Sequence, residues 1–271
     1  MPKGPIRFLL SRLLSSSRFK EKLWTRWYRY VEQVIDDKPI WFMNYGYVPA
    51  NGTTPALRGE DEPNRASIQL YEVVTRSVDL TGRTALEVSC GRGGGGRYFS
   101  AYRDPRLVIG LDRTEHAVAF CERQHGKSGL RFLCGDAQGL PFADLSFDAV
   151  VNVEASHCYP DFARFLAEVR RVLRPGGAFL FADMRKREAV EAWRRELQES
   201  GFEMLEEEEI TEHVVRALET TNDRVSALIR ESAPRLTRRF LAHFAATKGT
   251  AVYDQLKSGD VRYVRFVFRK S

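Results

Sequence analysis

Short apolar runs alternate with helical periodicity over most of the chain. The runs are typical of strands buried on both faces of a parallel sheet, and they lie at residues 84–88, 107–111, 130–134, 147–153, 178–182, 202–210 and 261–269. Between and before them, apolar residues three or four positions apart predict helices at residues 65–78, 94–102, 114–125, 161–173 and 188–200. Strands that alternate with helices predict an α/β fold with a doubly wound sheet.

Two further segments lie outside this alternation. Residues 6–35 carry apolar side chains at helical spacing together with Trp and basic residues, which predicts either a helical cap on the core or a helix at a membrane surface. A second helical pattern fills residues 211–257 before the last strand, and we expect it to form a lid, with a stabilising appendage as the alternative. The predicted division is an N-terminal helical cap with an aromatic loop at 1–64, a core at 65–210, the lid at 211–257 and the last strand at 258–271.

The first strand runs into a glycine-rich stretch at residues 87–96. Glycine permits a tight turn there and lets a ligand approach the backbone closely. The glycines alone are compatible with a dinucleotide site, a phosphate site or no site. Glu87 near the end of the strand favours a ligand with a hydroxyl or ammonium group, because a carboxylate repels a pyrophosphate.

Polar residues also mark the ends of the following strands. Asp112 lies about 20 residues beyond the glycine turn, where a carboxylate commonly binds a ribose diol. Asp136 follows the third strand, Asn152 and His157 lie at and beyond the end of the fourth, and Asp183 ends the fifth. Since ligands of such sheets bind at the carboxyl ends of the strands, we expect these residues to meet at one site. Each of them alone is also explained as a helix cap or a solvated residue.

Composition and charge limit the class of protein and its possible partners. The 271 residues are 43% apolar and 29% charged, as in a globular protein, and the net charge is +6. Residues 1–38 contain nine Lys or Arg against four acids, which nucleic acid, a membrane surface, an acidic substrate or a solvated helix face would each explain. Their apolar start is too short and too charged for a signal peptide or a membrane span.

The cysteines predict neither zinc nor disulfides. Cys90, Cys121, Cys134 and Cys158 are scattered singly and form no CxxC pair. Three of them lie in or beside predicted buried strands, where we expect free cysteine to behave as a small apolar residue. A reducing cytoplasm agrees with this pattern.

Taken together, the motifs resemble those of class I S-adenosylmethionine-dependent methyltransferases. The similarity covers residues 84–183, where five motifs follow one another in the family's order, at 87–93, 112, 135–137, 147–150 and 173–177. Ser89 departs from the family's usual glycine, and we expect a minor adjustment of the loop. Residues 44–47 resemble an aromatic motif of small-molecule members. Residues 152–159 are similar to phthiotriolone-type and fatty-acid O-methyltransferases and, more loosely, to polyketide and sugar O-methyltransferases.

The resemblance implies a seven-stranded Rossmann-like sheet and S-adenosylmethionine as the cofactor. It implies that Glu87 holds the amino-acid end of the cofactor and that Asp112, beside Arg113, holds the ribose. The other cofactor contacts that it implies are Tyr45 in the aromatic motif, Ser89, Gly91 and Gly93 along the backbone, Asp136 and Ala137 at the adenine, and Asn152 at the methionine portion.

A candidate base follows from the chemistry of a hydroxyl acceptor, which must lose its proton. His157 has a suitable pKa for that role, and Asp183 on the neighbouring strand is placed to orient the imidazole. Sugar O-methyltransferases have such a pair at matching motif positions, while a packed or capping role for His157 is the alternative. The sequence therefore predicts an O-methyltransferase of an apolar polyketide-, lipid- or secondary-metabolite-like molecule. A small-molecule C- or N-methyltransferase and a protein of this fold without methyl transfer are the alternatives.

Partners and location are predicted more coarsely. No His/Asp cluster has the spacing of a metal site, and no RNA-binding module or Asn/Asp-Pro-Pro-aromatic run points to nucleic acid. We expect a cytoplasmic enzyme with an apolar small-molecule substrate and weak membrane-surface contact through the basic N-terminal helix. The sequence leaves the acceptor and the oligomeric state open.

Overall fold

A mixed sheet of seven strands forms the centre of the computed structural model, which describes residues 40–52 and 54–271. The strand order is β3-β2-β1-β4-β5-β7-β6, with β1 to β5 parallel and β7 antiparallel to both of its neighbours. The bounds are Thr84–Val88 (β1), Leu107–Asp112 (β2), Leu130–Cys134 (β3), Phe147–Val153 (β4), Leu173–Lys186 (β5), Phe202–Glu209 (β6) and Val261–Lys270 (β7). The predicted doubly wound sheet is confirmed.

Helices cover both faces of this sheet. On one face, Tyr71, Phe99 and Leu218 belong to a core that α1, α2, α3, α6 and α8 share with the strands. On the other face, Phe165 of α4 and Trp193 of α5 contribute to a second core. The bounds are Arg65–Thr75 (α1), Gly94–Tyr102 (α2), Glu115–His125 (α3), Phe162–Val172 (α4), Val190–Glu199 (α5), Thr211–Ser232 (α6), Arg235–Phe244 (α7) and Ala251–Ser258 (α8).

The predicted helix at residues 65–78 is shorter in the structure, where α1 ends at Thr75. The guanidinium of Arg103 donates hydrogen bonds to the carbonyl oxygens of Thr75 and Val78, at 3.1 and 2.7 Å. These bonds satisfy carbonyl groups that the end of a helix leaves without partners. A side chain distant in sequence therefore stabilises this helix end.

The last strand buries a charge beside the sheet edge. Arg265 of β7 is 1% exposed, and its Nη1 lies 2.7 Å from a carboxylate oxygen of Glu206 and 3.4 Å from one of Glu208 on β6. Residues 206–209 are four consecutive glutamates on the edge strand β6. Two of them, Glu206 and Glu208, neutralise this buried guanidinium, which would otherwise be costly.

The insertion before the last strand contains α6, α7 and α8, as predicted. α6 and α8 join the core of the sheet, whereas α7 has only Leu241 buried. The predicted helices at residues 6–35 lie outside the described residues, and the division into four parts stays a prediction. None of the described helices is long and apolar enough to cross a bilayer.

The four cysteines are free, and one differs from expectation. Cys90 and Cys121 are buried. Cys134 is exposed, because it ends β3, which lies at the edge of the sheet and is covered less than a central strand. It therefore does not act as a small core residue.

Replacing Gly95 by alanine is expected to destabilise the fold. A Cβ at Gly95 would overlap Glu87 Oε1 and Tyr71 Cε1, so α2 must shift away from the sheet at a cost of about 1–3 kcal/mol. Urea denaturation of the variant measures this cost as a lower midpoint. Gly139→Ala is the matched control, since no atom lies within 4 Å of its added Cβ. A native midpoint for Gly95→Ala would contradict the expectation.

Candidate active site

A cavity of about 640 Å³ opens at the carboxyl ends of β1, β2 and β4. Its floor comes from the turns after these strands and after β3, in the segments 89–92, 112–114, 135–138, 153–155 and 157–160. Its rim comes from the aromatic segment 41–45 and from Phe240, His243 and Phe244 of α7. A cavity of this size accommodates a small organic ligand or cofactor.

The glycine turn presents open backbone to this cavity. Gly91 has a φ of +52°, and a Cβ added there would meet only the Met43 sulfur within 4 Å, at 3.7 Å. Ser89 adopts a φ of +59°, which is unusual for a residue other than glycine. Its hydroxyl lies 2.6 Å from the Tyr159 hydroxyl. The loop thus keeps a left-handed conformation at Ser89, where the family usually has glycine.

Asp112, the last residue of β2, lies beside the same turn. Its Oδ2 accepts the Gly91 N–H at 2.9 Å, and its Oδ1 accepts the Thr114 N–H at 3.1 Å. Burial raises the pKa of this carboxyl, and the backbone donors oppose that rise. Arg113 also lines the cavity beside Asp112. A carboxylate fixed in this way offers its remaining lone pairs to a ligand hydroxyl.

The third strand contributes the pair that was predicted to contact adenine. Asp136 and Ala137 both line the cavity. The Asp136 carboxylate accepts the Gln138 N–H at 2.9 Å, which fixes its turn. The buried Ala137 presents a small apolar surface beside it. Asp136 therefore supplies a hydrogen-bond acceptor, and Ala137 supplies a small apolar surface next to it.

Two of the predicted cofactor residues lie beneath the turn and do not line the cavity. Glu87 is buried and accepts the Tyr71 hydroxyl at 2.6 Å, on the side of α1 and α2. Burial raises the pKa of Glu87 to about 7. Gly93 has a φ of +77°, and a Cβ there would approach Cys121 and His125 within 2.9 Å. Both residues support the turn on the side away from the cavity. The Glu87 side chain and the Cα–Cβ direction of Gly93 face the helices.

Asn152 also differs from its predicted position. It is fully buried and lies outside the cavity wall. Its amide nitrogen donates to the Val88 carbonyl and to the Tyr159 hydroxyl, both at 2.9 Å. Because Tyr159 does line the cavity, Asn152 positions that phenol, and its contact with the methionine portion stays a prediction.

The structure brings His157 and Asp183 together. His157 lies in the 3-10 turn Ser156–Cys158 after β4, and its Nδ1 is 2.8 Å from Asp183 Oδ1. Asp183 is fully buried and also accepts the backbone N–H groups of His157 and Met184, at 2.9 and 2.7 Å, and the Ser156 hydroxyl at 2.5 Å. Asp183 thus fixes both the ring and the backbone of His157. The second ring nitrogen, Nε2, is not bound by Asp183.

The electrostatics of this pair favour charges on both groups. Burial alone would lower the pKa of His157, but the charge of Asp183 and its hydrogen bond outweigh burial and raise that pKa well above its usual value. Burial alone would raise the pKa of Asp183, but His157 and Arg185 outweigh it and lower that pKa. At neutral pH the free protein therefore holds an imidazolium against a carboxylate.

Glu154 is a cavity residue to which the sequence assigned no role. It follows β4 with a φ of +56°. Its Oε2 accepts the Tyr45 N–H at 3.0 Å and the Tyr263 hydroxyl at 3.1 Å. Burial raises the pKa of Glu154 to about 8, although the Tyr45 N–H and His157 oppose that rise. Its place directly after β4 was the signal that could have identified it.

The aromatic segment and α7 meet above this carboxyl. The Tyr45 hydroxyl donates to the Phe244 carbonyl at 3.2 Å. Of the two lid histidines, His243 lines the cavity, whereas His213 stacks on Tyr47 with ring centroids 4.6 Å apart. Arg92, which the sequence did not single out, lines the cavity and lies with its guanidinium carbon 3.4 Å from the Phe120 centroid.

Within the described residues, no group of three or more His, Cys, Asp or Glu side chains is arranged to hold a metal ion.

Comparison with known proteins identifies the family. The family model described as a methyltransferase domain matches residues 86–181. The phthiotriol/phenolphthiotriol dimycocerosates methyltransferase of Mycobacterium tuberculosis is 39% identical over 262 residues, which cover 97% of each chain. The fatty-acid O-methyltransferase of Mycolicibacterium smegmatis is 40% identical over 243 residues, which cover 90% of this chain and 88% of the relative.

A solved structure extends the similarity to three dimensions. The crystal structure of the [4+2]-cyclase SpnF is 25% identical and superimposes with a TM-score of 0.61, over 83% of this chain and 86% of that one. The strand order and the glycine turn indicate the same family as the relatives that cover nearly the whole chain. The chain therefore belongs to the class I S-adenosylmethionine-dependent methyltransferases, and it is an enzyme that uses this cofactor.

Proposed function

We propose that this enzyme transfers a methyl group to a hydroxyl of an apolar, lipid- or polyketide-like small molecule, with His157 as the general base. The observation that carries the proposal is the 2.8 Å contact between His157 Nδ1 and Asp183 Oδ1 at the wall of the cavity. A carboxylate on one ring nitrogen fixes the orientation of the imidazole and leaves the other nitrogen for proton transfer.

The residues of the cavity fit S-adenosylmethionine. Gly91 leaves space that a Cβ would fill, and the Asp112 carboxylate is held beside it by backbone donors. We assign Asp112 to the ribose hydroxyls, Asp136 and Ala137 to the adenine, and Ser89 and Gly91 to the methionine side. Glu87, Gly93 and Asn152 support these groups from behind.

The protein's share of the chemistry is alignment, exclusion of water and movement of one proton. When bound, S-adenosylmethionine supplies an electrophilic methyl group on a sulfonium. A neutral alcohol is a poor nucleophile, so His157 Nε2 removes its proton as the oxygen attacks. Asp183 then stabilises the resulting imidazolium.

An apolar acceptor is supported by the cavity wall and by the relatives. Met43, Phe240, Phe244 and Val252 supply apolar surface to the cavity. The two curated relatives are named for phthiotriol dimycocerosates and for fatty acids. Apolar walls with few polar groups are the usual means of selecting such ligands.

A carboxylate acceptor is the second candidate. The raised pKa of His157 favours it, because an imidazolium attracts a carboxylate. A carboxylate needs no base, so His157 would then act as a cationic anchor. The name of the fatty-acid relative agrees with this alternative. The two candidates predict opposite dependence on pH, which makes them separable.

Glu154 is assigned to the acceptor side of the cavity. Tyr45 and Tyr263 both donate to Oε2, and no described residue donates to Oε1 in a hydrogen bond. With its pKa raised to about 8, the carboxyl is mostly neutral at pH 7 and is able to donate from Oε1. A neutral carboxyl is compatible with an apolar acceptor next to it.

The proposal includes the location of the enzyme. Four free cysteines agree with a reducing cytoplasm. Weak contact of the basic segment 1–38 with a membrane surface and association into an oligomer belong to the proposal.

Replacing His157 by alanine is expected to lower turnover about 100-fold or more, because the acceptor loses its base. Turnover is measured as S-adenosylhomocysteine formation with a long-chain alcohol, and the product by its mass gain of one CH2. Affinity for S-adenosylhomocysteine, measured by calorimetry, should stay native. His243→Ala, the other cavity histidine, is the matched control and should lose less than about tenfold. Equal losses in both variants would remove His157 from the mechanism.

The rate with a hydroxyl acceptor is expected to rise with pH. His157 accepts a proton only when deprotonated, and its pKa lies well above the usual 6.5, so kcat/KM should increase through the neutral and alkaline range. Asp183→Asn removes the carboxylate that raises this pKa, so the midpoint should move to lower pH while the maximal rate falls. The profile is measured from pH 6 to about 10. A rate that instead falls over this range would favour the carboxylate acceptor.

Glu154→Gln is expected to change how stability depends on pH. The native carboxyl has an ordinary pKa near 4.5 and a folded pKa of about 8, so it stabilises the fold at low pH and loses that contribution as pH rises toward 8. The amide keeps an acceptor for Tyr45 and Tyr263 but does not titrate. From pH 5 to 8 the variant should gain on the order of 3 kcal/mol relative to the native protein in urea denaturation. A difference that stays flat from pH 5 to 8 for Glu154→Gln would contradict the assignment.

A further inference from the structure

The glycine turn contains one residue whose backbone conformation is costly for its type. Ser89 has a φ of +59°, in the left-handed region that glycine adopts without strain. Gly91 and Gly93 in the same turn also have positive φ values, +52° and +77°. A strained residue persists only where other contacts hold it, and such residues are common at functional sites. The contact that holds Ser89 is therefore a candidate for a functional role.

The side chain of Ser89 is held by the phenol of Tyr159. Their hydroxyl oxygens lie 2.6 Å apart, which is the distance of a short hydrogen bond between two hydroxyl groups. Burial raises the pKa of Tyr159, so the phenol is protonated at neutral pH and either hydroxyl is able to donate. Both residues line the cavity. Glycine at position 89 would have no hydroxyl with which to make this bond.

The phenol of Tyr159 is itself fixed by two neighbours. The amide nitrogen of Asn152 donates to the phenol oxygen and to the carbonyl of Val88, which directly precedes Ser89, at 2.9 Å each. The ring of Tyr159 packs edge-on against Phe165 of α4, with centroids 4.8 Å apart. The hydroxyl that binds Ser89 is thus set by the sheet and by a helix.

The backbone of Tyr159 belongs to the turn that follows β4. Its N–H donates to the carbonyl of Ser156 at 3.0 Å, which closes the 3-10 turn that carries His157. The hydrogen bond between Ser89 and Tyr159 consequently joins the glycine turn after β1 to the turn after β4. These turns form two parts of the same cavity wall.

We propose that Tyr159 is a positioning residue, which through its hydrogen bond to Ser89 holds the glycine turn in the conformation that binds S-adenosylmethionine. This inference rests on the assignment of Ser89 and Gly91 to the methionine side of the cofactor. A turn that is fixed before the ligand arrives loses less conformational entropy on binding, which increases affinity. Glycine at position 89 would reach the same φ without strain, but it would also leave the turn free to adopt other conformations.

Calorimetry with S-adenosylhomocysteine and the full chain tests this proposal. Tyr159→Phe keeps the ring and removes one hydroxyl, and Ser89→Gly removes the other. Each variant should lower the affinity about 5- to 10-fold. Because both variants lose the same bond, the double variant should lose no more than the larger single loss.

Urea denaturation of the free protein separates this role from a purely structural one. Ser89→Gly should keep a midpoint close to native, because relief of the backbone strain offsets the lost bond. A purely structural bond would give the opposite pattern, with a lower midpoint and native affinity for S-adenosylhomocysteine.

Tyr102→Phe is the matched control. The Tyr102 hydroxyl also makes a 2.6 Å hydrogen bond, to the Asp61 carboxylate, but it lies outside the cavity wall. This variant should bind S-adenosylhomocysteine as the native protein does.

Three results with a native protein that binds S-adenosylhomocysteine would overturn the role of Tyr159 alone. They are native affinity in either single variant, losses that multiply in the double variant, and an equal loss in the Tyr102 control. A native protein without affinity for S-adenosylhomocysteine would overturn the assignment of the cofactor as well. The readout needs no methyl transfer, so it does not depend on the acceptor or on His157.

Discussion

The buried carboxylate of Asp183 is the constraint on which the site depends. It has no access to solvent, and it is stabilised by two backbone N–H groups, the Ser156 hydroxyl and the His157 ring. A buried charge persists only when it is paired and hydrogen-bonded in this way. The turn after β4 is folded around this anion, so the position of the imidazole follows from the need to satisfy Asp183.

Burial moves the pKa of two other carboxyl groups near the cavity in the opposite direction. Among the described residues, Glu87 and Glu154 accept hydrogen bonds from hydroxyl and amide groups, and burial raises the pKa of both. Asp183 has His157 and Arg185 beside it, and its pKa falls. Burial acts on all three acids, and the pKa falls below its ordinary value only at Asp183, where the charges of His157 and Arg185 outweigh burial.

Much of the fold was predictable from local pattern, and less of the site was. Apolar periodicity predicted the strands and helices. The proximity of His157 to Asp183 followed because His157 comes shortly after β4, and Asp183 lies in the neighbouring parallel strand β5, one residue beyond its pairing with β4. The direction of a side chain was not predictable in the same way, since successive strand residues point to opposite faces and the pattern does not say which face meets the ligand. This is why the sequence did not reveal that Glu87 and Asn152 lie outside the cavity wall. The left-handed backbone of Glu154 depends on contacts with Tyr45 and Tyr263, which are far away in sequence.

Tyr45 connects the aromatic segment 41–45 to the turn after β4 and to the end of α7. Its N–H binds Glu154, and its hydroxyl binds the carbonyl of Phe244 at the end of α7. A displacement of the end of α7 would break the second bond and remove one of the contacts that hold Tyr45 beside Glu154. If protonation of Glu154 changed its bond to Tyr45, linkage would require the position of α7 to change the proton affinity of Glu154 by the same free energy. Tyr45 is thus the residue through which the end of a peripheral helix and a carboxyl deep in the cavity would be coupled.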